Sequence, residues 1–115
     1  TRFFMYGEDA DLSRRAAKEN LPLVLVPQAK IIHYGGGSET VLSEKLVKQF
    51  YANVQFFRIH YKSLEYVVLV SMLWLRCVIR VIAFGAFSFI NKNHKTQFRI
   101  WFDVYQRRKE WLLPI

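Results

Sequence analysis

A largely apolar stretch from Tyr66 to Ile90 constrains the fold more than any other part of the sequence. It is long enough for a helix to cross a bilayer, but Arg76 and Arg80 lie near its middle. Each arginine would cost about 2.5–3.5 kcal/mol at the centre of a membrane-spanning helix, and a spacing of four puts both on one helical face. The sequence therefore predicts one or two amphipathic helices in the membrane interface, with Gly85 as a bend. A buried helix of a soluble protein is the alternative.

The net charge of +8 comes from the second part of the chain. Residues 1–44 hold five Lys/Arg and six Asp/Glu, a balance of −1, whereas residues 45–115 hold twelve and three, a balance of +9. In the tail these cations are interspersed with tryptophan, tyrosine and phenylalanine, which suits a lipid headgroup layer. The chain carries no nucleic-acid-binding motif. The pattern therefore predicts an anionic membrane surface as a partner and no nucleic acid.

Cysteine usage indicates the redox compartment. Cys77 is the single cysteine and lies inside the apolar stretch, so no internal disulfide can form. A reducing, cytosol-facing location and a buried, inert thiol are the expectations that follow.

Two helices are predicted from spacing. The first runs from Glu8 to Glu19, with acidic residues in its first turn, and we expect Asn20 to end it in the left-handed conformation before Pro22. The second spans Ser43 to Lys62. Its apolar residues recur at spacings of three or four, at Leu46, Phe50, Val54, Phe57 and Tyr61.

Two short strands are predicted between these helices. Residues 23–26 and 30–34 are rich in β-branched and aromatic side chains, and Pro27-Gln28-Ala29 separates them. The glycines at 35–37 then predict a mobile loop directly after the second strand.

The densest group of acidic side chains lies at the start of the first helix. Glu8, Asp9 and Asp11 place three carboxylates within four residues, which repel one another unless a metal, a cation or a substrate hydroxyl compensates them. Taken alone, the cluster has two interpretations. It is a functional site, or it is a set of helix-capping acids paired with Arg14 or Arg15.

Two separated stretches carry a resemblance to a known family. Residues 3–15 read Phe-Phe-Met-Tyr-Gly-Glu-Asp-Ala-Asp-Leu-Ser-Arg-Arg, and residues 26–38 read Val-Pro-Gln-Ala-Lys-Ile-Ile-His-Tyr-Gly-Gly-Gly-Ser. In this order they resemble the C-terminal part of the catalytic domain of rhamnosyltransferase-like family 2 glycosyltransferases. The resemblance covers residues 3–62. It implies a GT-A fold and inverting transfer of a sugar from a nucleotide diphosphate to a lipid-linked or polysaccharide acceptor.

The resemblance also implies roles for individual residues. Asp9 would be the general base, and Glu8 would shape the acceptor pocket or orient Asp9. Asp11 would pair with Arg14 or Arg15 to hold the loop. The complete enzyme would use a divalent metal, Mg or Mn, and His33 would help hold it. A partly buried structural histidine is the alternative for His33.

The motif Asp-x-Asp at residues 9–11 has the spacing of the family's metal motif. That motif lies well upstream in the family, so Asp11 is not assigned to metal. Because the chain begins with Thr1, we expect a fragment that lacks the donor-binding half and is inactive alone.

The resulting prediction is an α/β fragment in three parts. Residues 1–40 would complete the catalytic domain, residues 41–64 would form an amphipathic helix packed on it, and residues 65–115 would be a basic, apolar, helical region at the cytoplasmic face of the cell membrane. The alternative function is a non-enzymatic, basic module that binds the membrane surface.

Overall fold

The computed structural model describes Phe3, residues 5–32 and residues 41–113. Every regular element within these ranges is a helix. The helices are α1 (Glu8–Lys18), α2 (Leu42–His60), α3 (Ser63–Ala86), α4 (Lys92–Gln106) and α5 (Arg108–Leu112). The predicted α/β class is therefore wrong, because the described part of the chain is all-helical.

The two predicted strands are the source of that error. Residues 23–26 and 30–32 form no strand, and His33 and Tyr34 lie outside the described residues. A residue with high β propensity has a side chain that fits a pleated, half-buried surface. A strand of such residues forms only where a neighbouring strand pairs with it. In this structure both runs are exposed to solvent instead, with Leu25 87% and Ile31 86% accessible. One backbone hydrogen bond, from Ala29 N–H to Val26 O at 3.0 Å, closes a turn between the two runs.

Helix α1 ends as its sequence predicts. Asn20 has a φ of 56°, which is the left-handed conformation expected of it. The N–H of Asn20 donates to Ala17 O at 3.2 Å and the N–H of Leu21 donates to Ala16 O at 2.9 Å. This pair of bonds satisfies two carbonyls that a helix C-terminus otherwise leaves unpaired.

The core lies where α2 packs against α4 and α5. Phe50 and Val54, both on the predicted apolar face of α2, are buried. The Phe50 ring centroid lies 5.0 Å from that of Trp111 and 6.2 Å from that of Trp101. Trp111 is fully buried, and its indole N–H donates to Val104 O at 2.9 Å. Aromatic contacts and burial thus fix the last helix onto the bundle.

Two ion pairs of Arg107 join the same three helices at the surface. Arg107, between α4 and α5, donates to Glu44 at 2.9 Å and to Glu110 at 2.7 Å. These hydrogen bonds lower the pKa of both carboxyl groups. The N-terminal turn of α2 is therefore connected to the junction of α4 and α5.

Helix α3 contributes one face to the core. Its inward residues recur at helical spacing and include the fully buried Cys77. Burial raises the pKa of the Cys77 thiol to about 11, as expected for an inert cysteine. The helix continues through Gly85, where a Cβ would lie 3.1 Å from the Phe98 ring of α4. Glycine at this position permits close packing of α3 against α4.

Candidate functional site

A sharp backbone turn leads into α1. Tyr6 and Gly7 both have positive φ angles, 65° and 84°. A bulky residue in this conformation is strained, and strain of this kind is retained where the surroundings hold it in place. Those surroundings are visible at Gly7, where a Cβ would lie 3.2 Å from the ring of Phe3 and 3.7 Å from Ala52 of α2. The turn therefore lies against α2 and sets where α1 begins.

The three carboxylates at the start of α1 have different surroundings. Glu8 and Asp9 are exposed, whereas Asp11 is 4% exposed. All three lie in the first turn, where the positive end of the helix dipole favours acidic residues. Only Glu8 and Asp9 are thus accessible to a ligand in solution.

Asp11 joins α1 to the C-terminal end of α2. Its Oδ1 lies 2.7 Å from His60 Nε2, and its Oδ2 accepts a hydrogen bond from Arg15 Nε at 3.0 Å. The His60 and Asp11 side chains are only 2% and 6% exposed. The His60 bond is the largest of the effects that lower the pKa of Asp11, and burial opposes it. An ionised carboxylate can only accept, so His60 carries its hydrogen on Nε2.

Arg14 makes a second connection beside the first. Its guanidinium donates to the hydroxyl of Tyr61 at 3.2 Å and to the backbone carbonyl of His60 at 3.3 Å. The same group lies 4.4 Å from the centroid of the Tyr61 ring, a cation–π distance. The second bond satisfies a carbonyl in the last turn of α2. We call the group formed by Asp11, Arg14, Arg15, His60 and Tyr61 the α1–α2 clasp.

Sequence reasoning named three of the five clasp residues. The pairing of Asp11 with Arg15 is present, while Arg14 contacts Tyr61 and His60 instead. His60 had no predicted role, and Tyr61 was predicted only as part of the apolar face of the second helix. The sequence does show a histidine, His60, at the C-terminal end of a predicted amphipathic helix. Its partner Asp11 lies 49 positions away, so the sequence does not indicate the contact.

A small cavity lies beside the turn that leads into α1. Its volume is about 100 Å³, and its walls are mostly apolar, formed by Met5, Lys48, Tyr51 and Gln55. Pockets for ligands of drug size usually measure about 300–1,000 Å³. This cavity is therefore too small to hold a sugar nucleotide.

The described residues do not form a metal site. No group of three or more His, Cys, Asp or Glu side chains in these ranges is arranged to hold an ion. Both carboxylate oxygens of Asp11 are already engaged, one by His60 and the other by Arg15. His33, the predicted metal ligand, lies outside the described residues.

Among the residues that the structure describes, one helix is long and apolar enough to associate with a membrane. It is α3, in which an 18-residue stretch has a mean hydropathy of 2.2 and only 11% of that stretch is buried inside the protein. The core helix of a soluble protein would be mostly covered by its neighbours, so the exposed apolar surface of α3 is unusual.

Comparison of the chain with protein-family models, with curated proteins and with solved structures finds no match. The residues themselves are therefore the basis for assigning a function.

Proposed function

We propose that this chain is part of an inverting family 2 glycosyltransferase and that Asp9 is its general base. The observation that carries the proposal is the construction of the α1 N-terminus. A strained turn precedes Asp9, and the partly buried α1–α2 clasp follows it, so the helix is held on both sides of Asp9 while Asp9 itself is exposed. The similarity of residues 3–15 and 26–38 to rhamnosyltransferase-like enzymes supplies the reaction class.

The proposed reaction needs one positioned carboxylate. The acceptor hydroxyl gives its proton to Asp9 while its oxygen attacks the anomeric carbon of the donor sugar. A new carbon–oxygen bond forms as the bond to the nucleotide diphosphate breaks, and the diphosphate leaves with the electron pair. General base catalysis of this kind typically contributes 10²- to 10⁴-fold to the rate.

The neighbouring residues would support Asp9. Glu8, exposed beside it, would contact the acceptor or orient the base. Asp11, Arg14 and Arg15 would act through the clasp by holding α1 in place. A rigid support matters because a small displacement of a catalytic group lowers the rate steeply. The donor sugar, its nucleotide and a divalent Mg or Mn ion would be held by residues outside the described part.

The proposed acceptor is a lipid-linked or polysaccharide glycan at the cytoplasmic face of the cell membrane. The basic second part of the chain and the exposed apolar surface of α3 support a peripheral location there.

Replacement of Asp9 by Asn in the full protein tests the assigned base. We expect sugar transfer to fall about 10²- to 10⁴-fold while the affinity for the nucleotide sugar is retained, because only the proton acceptor is lost. Glu19→Gln is the matched control, since Glu19 is an exposed acid just beyond the other end of α1. Transfer at the normal rate by Asp9→Asn would exclude Asp9 as the base.

A non-enzymatic membrane-surface module is the second candidate function. The exposed apolar surface of α3 favours this function, because membrane binding through that surface requires no reaction at Asp9. The two candidates differ in the transfer assay. A protein that binds membranes and transfers no sugar from any nucleotide donor would support this second function.

A further inference from the structure

Helix α3 has an apolar outer face opposite its core face. Along the helix, six large side chains recur at spacings of three or four, and their accessible fractions lie between 49% and 77%. They are Leu64, Val68, Met72, Leu75, Ile79 and Ile82. At 1.5 Å per residue the 24-residue helix is about 36 Å long, so the face is a continuous apolar strip. We call it the α3 outer face.

Cations lie directly beside this face. Met72, Arg76 and Arg80 are spaced by four residues, so they follow one another along the helix surface. The two exposed guanidinium groups therefore form a row along one edge of the α3 outer face. Their positions are supported by aromatic rings, since they lie 5.9 Å and 5.5 Å from the ring of Trp101. Glu65, in the first turn, is the sole acidic residue of α3. An apolar strip with a cationic border matches the chemistry of an anionic lipid leaflet.

Helix α4 determines how α3 can meet the membrane. The two helices are consecutive and packed together through Gly85 and Phe98. The exposed side of α4 carries Lys92, Lys95 and Arg99 at spacings of three and four. If α3 crossed the bilayer, α4 would bring these charges into the hydrocarbon, where charged side chains are strongly disfavoured. If α3 lies in the plane of the interface, they can remain in the headgroup layer or in water.

We infer that α3 lies in the plane of an anionic membrane leaflet, with its outer face in the acyl chains and Arg76 and Arg80 at the lipid phosphates. The inference extends the membrane location in the proposed function to a defined helix, depth and lipid class. It shares that location with the proposed function but does not depend on sugar transfer.

Binding of the full protein to vesicles tests the outer face and its charges. We expect sedimentation with vesicles that contain phosphatidylglycerol and weak sedimentation with phosphatidylcholine alone. Ile79→Glu should reduce binding about tenfold or more, because it places a charge where an exposed apolar side chain would otherwise enter the acyl chains. Arg76→Gln and Arg80→Gln should each reduce it about fivefold, and salt should weaken it. Leu12→Glu, on the exposed side of α1, is the apolar control, and Lys18→Gln is the charge control.

Depth measurements distinguish a helix in the plane from a helix that crosses. A fluorescent label is placed at Leu64→Cys, Met72→Cys or Ile82→Cys, and lipids with quenchers at known depths locate it. Cys77 is buried, so it remains unlabelled in the folded protein. A helix in the plane predicts the same shallow depth at all three positions. A crossing helix predicts that Met72 lies about 12 Å deeper than Leu64, because eight residues separate them along the axis.

Three results would contradict the inference. Staggered depths would overturn the in-plane orientation, and binding that ignores lipid charge and salt would overturn the anionic lipid class. Absence of binding, together with a dimer in solution that Ile79→Glu dissociates, would show that a second copy covers the face instead. Circular dichroism confirms that each variant folds. No sugar donor is present in these experiments, so they succeed or fail separately from the transferase assay.

Discussion

Trp111 makes a quantitative test of the bundle feasible. Its side chain is fully buried, its ring centroid lies 5.0 Å from that of Phe50, and its indole N–H donates to Val104 O at 2.9 Å. Val104 lies in the last turn of α4, where carbonyls have no partner within the helix. The tryptophan therefore fills the core and satisfies a buried acceptor.

Two substitutions separate these contributions. Trp111→Phe keeps an aromatic ring near Phe50 but leaves the Val104 carbonyl without its donor, which costs about 1–3 kcal/mol. Trp111→Ala also leaves a cavity and should cost about 3–5 kcal/mol. Unfolding entropy near 2.1 cal/mol/K per residue gives roughly 0.24 kcal/mol/K for this chain, so each 1 kcal/mol lowers Tm by about 4 °C. We expect losses of about 4–12 °C for Phe and about 12–20 °C for Ala.

Thermal unfolding followed by far-UV circular dichroism measures both effects. Leu113→Ala is the matched control, because Leu113 is 70% exposed just after α5 and its truncation should change stability by less than about 0.5 kcal/mol. If Trp111→Ala destabilises the protein no more than Leu113→Ala does, α5 is not part of the cooperative core and the packing described above is wrong.

The remaining predictions concern the α1–α2 clasp. Replacing His60 with Leu removes the donor to Asp11 and should speed backbone hydrogen exchange in α1. His60→Gln retains an N–H donor and should speed the exchange less. Equal exchange rates in the two variants would show that the bond between His60 and Asp11 does not support α1. The pKa of Asp11 is lowered in the fold, so its ionised form stabilises the protein above the usual aspartate range, and this contribution disappears as the pH falls through the lowered pKa. The difference in unfolding free energy between wild type and Asp11→Asn should therefore be present at about pH 6 and shrink as the pH falls below the usual aspartate pKa of about 3.9. A difference that does not depend on pH would contradict the assigned ion pair.

Local sequence patterns predicted the helices well. The predicted second helix, Ser43 to Lys62, differs by at most two residues at either end from α2, and Asn20 ends α1 as expected. Helical periodicity and end signals act within a few residues, so a single sequence contains them. Strands depend on a distant partner, and residues 23–26 find none among the described residues.

The candidate site was predictable only in part. The acidic cluster and its arginines are contiguous in sequence, and so they were found. The contact of Asp11 with His60 depends on how α1 lies against α2, which no local pattern encodes. Likewise, α3 is apolar on both faces, so the sequence could not show which face joins the core and which remains exposed.

The stereochemistry of sugar transfer tests the central proposal most directly. The full protein is incubated with anionic membranes, an acceptor lipid extract and a panel of uridine and thymidine diphosphate sugars, and the anomeric configuration of any product is determined by NMR. A single-step attack assisted by Asp9 predicts a new glycoside with configuration inverted relative to the donor. A product with retained configuration, or no transfer from any donor in the panel, would contradict the assignment.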